Sequence, residues 1–381
     1  MTIVIAVPKE ITALESRVAA TPETVKKMVA MGLSVRVETQ AGLSAMFRDT
    51  DYEKAGASIA PSKKQLYAGA KIVLKVQPPT QDPKTGEDEN ELIASDAILI
   101  GFFMARWNPA WVQKMNARGI PVFSIDGIPR IARAQKMDAL SSQSNIAGYK
   151  AVLLAANRLH KMMPLFMTAA GTIMPARVFV LGAGVAGLQA IATAKRLGAV
   201  VEAFDTRPVV REQVESLGGK FVQFQIASGT QDAGGYAREL SEQDHKKETE
   251  LVAKHVSEAD IVITTALIPG KPAPLLITEE TVRRMKPGSV IVDLAAENGG
   301  NCALTEKGKE VEKHGVTILG TVNLPSLVAS DAARLYAKNI LNFLEEIVKD
   351  GKLKIDLQDE VIQGALVTDP ARCAVSAGSA V

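Results

Sequence analysis

Residues 177–207 read Arg-Val-Phe-Val-Leu-Gly-Ala-Gly-Val-Ala-Gly-Leu-Gln-Ala-Ile-Ala-Thr-Ala-Lys-Arg-Leu-Gly-Ala-Val-Val-Glu-Ala-Phe-Asp-Thr-Arg. The apolar run 178–181 predicts a buried strand, and a Gly-x-Gly-x-x-Gly turn follows it. A helix rich in small residues comes next and stops at Gly198, and a second apolar strand then ends at Asp205. This order of strand, turn, helix and strand is the unit from which parallel α/β sheets are built.

The three glycines of the turn each have a separate physical role. Gly182 permits the tight turn, and Gly184 lets a pyrophosphate approach the backbone. Gly187 allows the helix to pack closely against the strand. Free N–H groups and the helix dipole around Val185 would then hold the phosphates. The stretch therefore predicts a dinucleotide-binding site.

Asp205 indicates which dinucleotide binds. A carboxylate at the end of the second strand can accept hydrogen bonds from both ribose hydroxyls of NAD, and it would repel the 2′-phosphate of NADP. Arg207 could pair with a phosphate, but it leaves the carboxylate in place. The alternative for Asp205 is a helix cap ahead of Pro208. We expect NAD(H) rather than NADP(H).

Composition limits the class of protein. The 381 residues suggest two domains, and 47% hydrophobic with 23% charged residues predicts a folded, soluble protein. Lysine and arginine (44) nearly balance aspartate and glutamate (42), which argues against nucleic-acid binding. Cys302 and Cys373 lie outside any Cys-x-x-Cys pair, so we expect a reducing, cytoplasmic location without disulfides or a metal site. We also expect no targeting segment and no membrane span.

The rest of the chain predicts an α/β protein with two doubly wound, parallel-sheet (Rossmann-like) domains joined by long helices. The first 126 residues alternate strands with helices, two of which begin at Pro22 and Pro109 and end at Gly32 and Gly119. The expected strands of this region are Ile3–Val7, Ser34–Glu38, Lys71–Val76, Ala97–Phe102 and Pro121–Ile125. Further strands are expected at Lys220–Phe224, Asp260–Thr265 and Ser289–Leu294.

Two long helices set the predicted domain boundaries. One runs from Ala139 to Met162, and the other is capped by Ser330 and ended by Gly351. The apolar face of the second helix consists of Tyr336, Ile340, Phe343, Leu344 and Ile347. We expect this helix to return to the first domain. The first domain would then comprise residues 1–138 with 330–381, and the dinucleotide domain residues 139–329.

Two polar segments are candidate parts of the site. Residues 129–144 supply an arginine, an amide, an acid and hydroxyls just before the interdomain helix, where they could hold a carboxamide and a ribose. The alternative is a solvated loop with a helix cap. Residues 226–247 form a long polar excursion in which Gly234-Gly235 gives hinge freedom and Tyr236 could close over a ligand. The alternative there is a floppy surface loop.

The sequence has no clear general base. The four histidines (His160, His245, His255 and His314) fit neither a metal spacing nor a nucleophile pattern. A dehydrogenase that oxidises an alcohol or amine needs a proton acceptor. Lys75 or Glu297 could serve, but both could equally be surface or cap residues.

The chain resembles, over nearly its whole length, the NAD(H)-binding α1 subunits (domain I) of proton-translocating NAD(P) transhydrogenases. The motifs that carry the resemblance are Pro8-Lys9-Glu10, Arg17-Val18-Ala19-Ala20-Thr21-Pro22, Arg130–Ser144, Gly182–Gln189, Gly234-Gly235-Tyr236 and Ala266-Leu267-Ile268-Pro269-Gly270-Lys271-Pro272. The polar segment and the Gly-Gly-Tyr loop are specific to transhydrogenases.

Alanine dehydrogenase shares this fold and is the competing family. Arg17 and Lys75 match its substrate-binding arginine and lysine. However, its catalytic histidine falls where this chain has Met104, and its active-site aspartate is replaced by Glu297. Hydride exchange between two nicotinamides needs no acid or base, so the missing histidine favours a transhydrogenase. A sensor or scaffold that binds NAD without chemistry is the third alternative.

The resemblance implies that NADH binds between the domains, with Arg130, Gln135, Asp138 and Ser141 orienting its nicotinamide. The implied cofactor-binding residues are Arg130, Ile131, Ala132, Arg133, Gln135, Asp138, Gly182, Gly184, Val185, Gly187, Asp205, Thr206, Arg207, Gly235, Tyr236, Ala266 and Leu267. NADP(H) would bind a partner subunit, and a membrane-spanning subunit would couple hydride transfer to proton translocation. The chain itself would be a homodimer, peripheral on the inner face of the cytoplasmic membrane through those partners. No metal is implied.

Overall fold

A computed structural model of the chain describes residues 2–223, 242–268 and 271–371. It divides into two compact units. Unit 1 comprises Met1–Gln143 with Pro325–Val381, and unit 2 comprises Ser144–Leu324. The division after Gln143 lies inside a single long helix, Ala139–Arg158.

Unit 1 begins with alternating strands and helices, as its sequence predicts. Its elements are β1 (Val4–Val7), α1 (Pro22–Ala30), β2 (Ser34–Glu38), α2 (Asp49–Lys54), β3 (Ser58–Ala60), α3 (Lys63–Tyr67), β4 (Ile72–Leu74), α4 (Glu89–Leu92), β5 (Ile98–Gly101), α5 (Pro109–Ala117), β6 (Val122–Ser124) and α6 (Ala139–Arg158). The six strands form one parallel sheet in the order β3-β2-β1-β4-β5-β6. Alternate residues of β1 belong to separate hydrophobic clusters, so both faces of the sheet are covered.

Local sequence explains the start of α1. Thr21 accepts a hydrogen bond from the Thr24 amide in a capping box, and Pro22 occupies the first turn. Of the predicted apolar face, Val25 and Met28 are fully buried, but Val29 is 36% exposed.

Unit 2 contains a larger sheet. Its elements are β7 (Phe166–Thr168), β8 (Gly171–Ile173), β9 (Arg177–Leu181), α7 (Val185–Arg196), β10 (Val200–Phe204), α8 (Arg211–Ser216), β11 (Lys220–Phe221), α9 (Glu242–Glu258), β12 (Ile261–Thr264), α10 (Glu279–Arg283), β13 (Val290–Asp293), β14 (Glu310–Lys313) and β15 (Val316–Leu319). Seven strands pair in the order β11-β10-β9-β12-β13-β15-β14, all parallel except β14 with β15. The strand order reverses beside β9 as it does beside β1. Both sheets are therefore doubly wound and Rossmann-like, which confirms the predicted fold class.

The chain then returns to unit 1 through α11 (Ala329–Ile347), β16 (Val348–Lys349), β17 (Lys352–Leu353) and α12 (Glu360–Ala365). The five predicted apolar residues of α11 are fully buried. The predicted ends of this helix are wrong. Ser330 lies inside the helix, and Val328 precedes it without a side-chain cap. Gly351 follows the helix in the turn of the β16–β17 hairpin, where its φ is +69°.

Three further local predictions are corrected. Helix α6 ends at Arg158 rather than Met162, and the segment after it forms the unpredicted β7–β8 hairpin. Helix α9 begins at Glu242, so the last six residues of the predicted loop 226–247 are helical. Residues 224–241 of that region lie outside the described residues. In the described part of the chain, no helix combines the length and hydrophobicity required to cross a membrane.

Candidate functional site

The glycine turn after β9 has the geometry that its sequence predicts. Gly182 has a φ of +97°, and a Cβ there would lie 2.5 Å from Thr265 Oγ1. A Cβ at Gly187 would lie 1.8 Å from the Gly182 carbonyl oxygen, because helix α7 packs directly on the turn. A Cβ at Gly184 would meet no heavy atom within 4 Å. The first and third glycines are therefore required by the protein itself, and the second leaves room for another molecule.

That room lies at the start of helix α7, which begins at Val185 after Gly184. The first amides of a helix lack intrahelical acceptors and carry positive dipole charge, so they attract anions. An open approach to the backbone at Gly184 beside such amides fits the pyrophosphate of a dinucleotide. The turn thus has both the space and the donors that this group needs.

Asp205 follows β10 and is joined to the turn. Its Oδ2 accepts hydrogen bonds from the Ala183 amide at 2.8 Å and from the Arg207 guanidinium at 3.0 Å. Its Oδ1 accepts from the Arg207 amide at 2.9 Å. Burial alone would raise the pKa of this carboxyl, but the bonds from Arg207 and Ala183 lower it overall. Asp205 is therefore a carboxylate, and it does not cap the helical turn after Pro208.

The loop after β12 forms a second contact with the turn. Thr265 Oγ1 donates to the Gly182 carbonyl oxygen at 3.0 Å. Both polar backbone groups of Ala266 bond to the side chain of Asn301, a residue that no sequence motif singled out. Leu267 is 51% exposed and is therefore accessible to a ligand. The next two residues of this motif after Ile268 lie outside the described residues.

The polar segment of unit 1 surrounds a depression of about 320 Å³. Its lining consists of Pro129, Arg130, Ile131, Ala134, Gln135, Asp138 and Ser141. The structure thus brings together all four residues that are expected, from the sequence, to orient a nicotinamide. The alternative interpretation, a helix cap, is also correct. Asp138 accepts from the Ser141 amide at 2.8 Å and from its hydroxyl at 2.5 Å, at the start of α6.

Several predicted residues lie elsewhere. Arg133 pairs with the Asp359 carboxylate through two bonds, of 2.9 and 2.8 Å, and does not line the depression. Ala132 is exposed and also lies outside that lining. Gly235 and Tyr236 lie outside the described residues.

Lys75 is neither a surface nor a cap residue. It is fully buried, and its Nζ lies 3.2 Å from Glu10 Oε2 and 3.1 Å from Glu89 Oε2. Burial raises the pKa of Glu10 to about 7, against the opposing charge of Lys75. The position of Lys75 within the apolar run 72–76 was the one sequence signal of its burial.

Arg17 lies in the same unit, almost fully buried at 4% exposure. Its guanidinium contacts Glu15 at 2.6 Å and Gln143 at 2.9 Å. Burial would raise the pKa of Glu15, but the bonds from Arg17 lower it to about 2. The charges of Arg17 and Lys75 are thus matched by the protein's own carboxylates.

The other acid–base candidates have structural partners. Glu297 is exposed and accepts a hydrogen bond from the Asn323 amide at 2.7 Å. His255 Nδ1 lies 2.9 Å from Glu202, and His314 Nε2 lies 3.1 Å from Glu279. Among residues 2–223, 242–268 and 271–371, no group of three or more His, Cys, Asp or Glu side chains could hold a metal ion.

Position 104, where the competing family has its catalytic histidine, has unusual backbone geometry. Met104 has a φ of +47°, and its amide donates to Asp126 Oδ1 at 3.1 Å. Asn108 Nδ2 donates to the Phe103 carbonyl oxygen at 2.9 Å. These bonds hold the strained conformation. The thioether of Met104 has no proton to transfer.

Comparison with known proteins places these features in a family. Residues 6–147 match the N-terminal domain of the alanine dehydrogenase/PNT family, and residues 151–374 match its C-terminal domain. The first of the chains that make up the NAD(P) transhydrogenase alpha subunit of Rhodospirillum rubrum is 53% identical over 96% of each chain. A solved transhydrogenase structure from Sinorhizobium meliloti is 44% identical, with a TM-score of 0.86 over 96% of this chain and 98% of that one. Alanine dehydrogenase of Bacillus subtilis is 28% identical over 96% of this chain and 91% of its own length.

Proposed function

This chain belongs to the family of NAD(P) transhydrogenase alpha subunits, and we propose that it is the NAD(H)-binding component of a proton-translocating transhydrogenase. It would supply hydride from NADH to NADP⁺ held on a partner subunit. The observation that carries the proposal is the glycine turn, whose second glycine leaves open space beside the first amides of α7.

We assign the two ends of NADH to different residues. The amides at the start of α7 would hold the pyrophosphate, and Asp205 would accept hydrogen bonds from the adenosine ribose and oppose a 2′-phosphate. Arg207 would have to share or release Asp205, which it now covers. Leu267 would pack on the adenosine side. Arg130, Gln135, Asp138 and Ser141 would orient the nicotinamide end.

The chemistry fits a site without a general acid or base. A dihydronicotinamide supplies a hydride with its electron pair, so the C4–H bond of NADH breaks and a new C4–H bond forms on NADP⁺. No proton is released, and the protein's contribution is proximity and orientation. The residues around the 129–141 depression need only hold one ring in place.

An alanine dehydrogenase activity is the alternative. Arg17 and Lys75, which match that family's substrate residues, already pair with Glu15, Glu10 and Glu89. Met104 cannot transfer a proton. We therefore expect no reduction of NAD⁺ with L-alanine. Turnover with alanine at a rate typical of an enzyme would reverse the choice between the two activities.

We propose three protein partners: an NADP(H)-binding subunit, a membrane-spanning subunit that couples the reaction to proton movement, and a second copy of this chain. The β7–β8 hairpin supports the second copy. All six of its residues are exposed, including Phe166 at 45% and Met167 at 73%, and Leu165 and Met174 beside it are 52% and 65% exposed. An isolated hairpin of this kind gains stability when its apolar side chains are covered. The chain would be peripheral on the cytoplasmic face of the membrane through its other partners.

The test is hydride transfer from NADH to an NADP analogue, measured by absorbance with and without the partner subunits. We expect transfer in the complete complex and a large loss when this chain is omitted. Transfer that does not depend on this chain, or that uses NADPH in place of NADH on it, would contradict the proposal. Light scattering of the purified chain would test the homodimer separately.

A further inference from the structure

Asn301 is a fully buried amide that holds the loop after β12. Its Oδ1 accepts a hydrogen bond from the Ala266 amide at 3.1 Å. Its Nδ2 donates to the Ala266 carbonyl oxygen at 2.9 Å and to the Pro274 carbonyl oxygen at 2.8 Å. One side chain therefore satisfies both backbone polar groups of Ala266 and fixes that residue in position.

The loop fixed in this way borders the glycine turn. Strand β12 pairs with β9 at the point where the strand order reverses, so the loops after these strands flank the crevice of the sheet. Thr265 Oγ1 bonds to the Gly182 carbonyl oxygen at 3.0 Å and connects the two loops directly. Leu267 follows Ala266 and is half exposed. Any movement of Ala266 would therefore move a wall of the dinucleotide site.

Asn301 is itself held by Asp293, the last residue of β13. The fully buried Asp293 accepts hydrogen bonds at Oδ2 from the Asn301 amide at 2.8 Å and from Thr305 Oγ1 at 2.7 Å. Its Oδ1 accepts from Thr264 Oγ1 at 2.9 Å. A buried polar network is rigid when its members are satisfied, as they are here. Asn301 thus transmits the rigid end of β13 to the loop after β12.

We propose that Asn301 is a positioning residue for coenzyme binding: it does not touch the coenzyme, and it fixes Ala266 and Leu267 as one wall of the site. This inference rests on the proposed binding of NADH to the turn. It predicts that loss of the Asn301 amide weakens NADH binding but not the hydride-transfer step, since the nicotinamide-orienting residues lie in another unit.

The test compares Asn301→Ala with Thr305→Val. The second variant removes a hydrogen bond to the same Asp293 and leaves the contacts of Ala266 intact. We expect Asn301→Ala to raise the NADH dissociation constant about fivefold, the equivalent of roughly one net hydrogen bond. The Thr305→Val value should stay close to that of the wild type. In the reconstituted complex, Asn301→Ala should raise KM for NADH with kcat nearly unchanged.

Melting temperatures of both variants separate positioning from stability. If Asn301→Ala does not fold, Asn301→Ser is used, because its hydroxyl is too short to reach both polar groups of Ala266. Equal NADH dissociation constants for the Asn301 and Thr305 variants would overturn the inference. Failure of the wild-type chain to bind NADH would instead overturn the proposed function, and this inference with it.

Discussion

The two units share a strand order but differ in the loop after their first strand. In unit 2, β9 leads into three glycines, and Thr265 from the neighbouring β12 loop touches the turn without closing the space at Gly184. In unit 1, β1 leads into Pro8-Lys9-Glu10, and no glycine occurs before Gly32. Glu10 Oε1 accepts a hydrogen bond from the Val76 amide, just after β4, at 2.6 Å.

The same crevice is therefore open in one unit and filled in the other. A doubly wound sheet provides a crevice where its strand order reverses, and the residues of the first loops decide what enters it. Unit 2 offers free amides to an external anion. Unit 1 places its own carboxylate, Glu10, against Lys75 and a backbone amide. Sheet topology alone would assign a nucleotide to both units, but the loop chemistry assigns it to unit 2.

The largest effect should come from filling the open position. We expect Gly184→Val to leave the fold intact, because Gly184 has extended backbone angles and a Cβ there meets nothing. NADH affinity should fall at least about a hundredfold, as roughly two charge-assisted hydrogen bonds to the pyrophosphate are lost. Fluorescence titration with NADH and a melting curve would measure both. The control Gly187→Ala should lower the melting temperature as well, since its Cβ overlaps the Gly182 carbonyl. Normal NADH binding by Gly184→Val would remove the basis of the comparison.

Gln135 tests the separate contribution of unit 1. In the reconstituted complex, Gln135→Asn should lower the transhydrogenation rate by about a hundredfold, because small misplacements of reacting rings are costly. NADH affinity should stay near normal, since the pyrophosphate contacts are in unit 2. Stopped-flow rates and NADH titration separate the two effects. Full activity would mean that this exposed amide is a solvated loop residue, and a collapse of NADH binding would place it in the general cofactor grip.

Asp205 sharpens the specificity of unit 2. We expect the wild type to bind NADH much more tightly than NADPH, and Asp205→Asn to narrow that ratio by about tenfold as like-charge repulsion is removed. Asparagine can still accept the hydrogen bond from the Ala183 amide, so the turn should persist. Parallel titrations with both nucleotides give the ratio. An unchanged ratio would show that the carboxylate, paired with Arg207, does not select the nucleotide.

The smallest effect concerns the filled crevice of unit 1. The pKa of Glu10 is raised from 4.5 to about 7 in the folded chain, mainly by burial. The folded state then holds a proton that the unfolded state has lost, so stability falls as pH rises through that window. Glu10→Gln should remove this part of the pH dependence and leave NADH affinity unchanged. Urea unfolding across the window measures it. Parallel profiles for the variant and the wild type would show that Glu10 does not titrate there.

The sequence predicts the features that depend on neighbouring residues. Strand β2 has the predicted bounds, and Gly182, Gly184 and Gly187 act as their spacing indicates, because a turn and the helix after it are local structures. The four lining residues of the unit 1 depression also lie close together in the chain.

Features that depend on distant residues were not predicted. Lys75 is buried because it meets Glu10, Glu89 and, through its carbonyl, the hydroxyl of Tyr336, and no local pattern specifies those contacts. Asn301 bonds to Ala266 across 35 positions of the chain. Ser330 is a good cap residue that is not used, because α11 begins one residue before it. Local propensity gives way to tertiary packing at such helix ends.

The binding stoichiometry of NADH tests the comparison of the two units most directly. Isothermal titration of the purified chain with NADH, at concentrations above the dissociation constant, counts sites without reference to partner subunits. One NADH per chain, abolished by Gly184→Val and retained by Glu10→Gln, is the predicted result. Two NADH per chain, or a single site that survives Gly184→Val, would show that the crevice of unit 1 is not filled or that the coenzyme does not use the glycine turn.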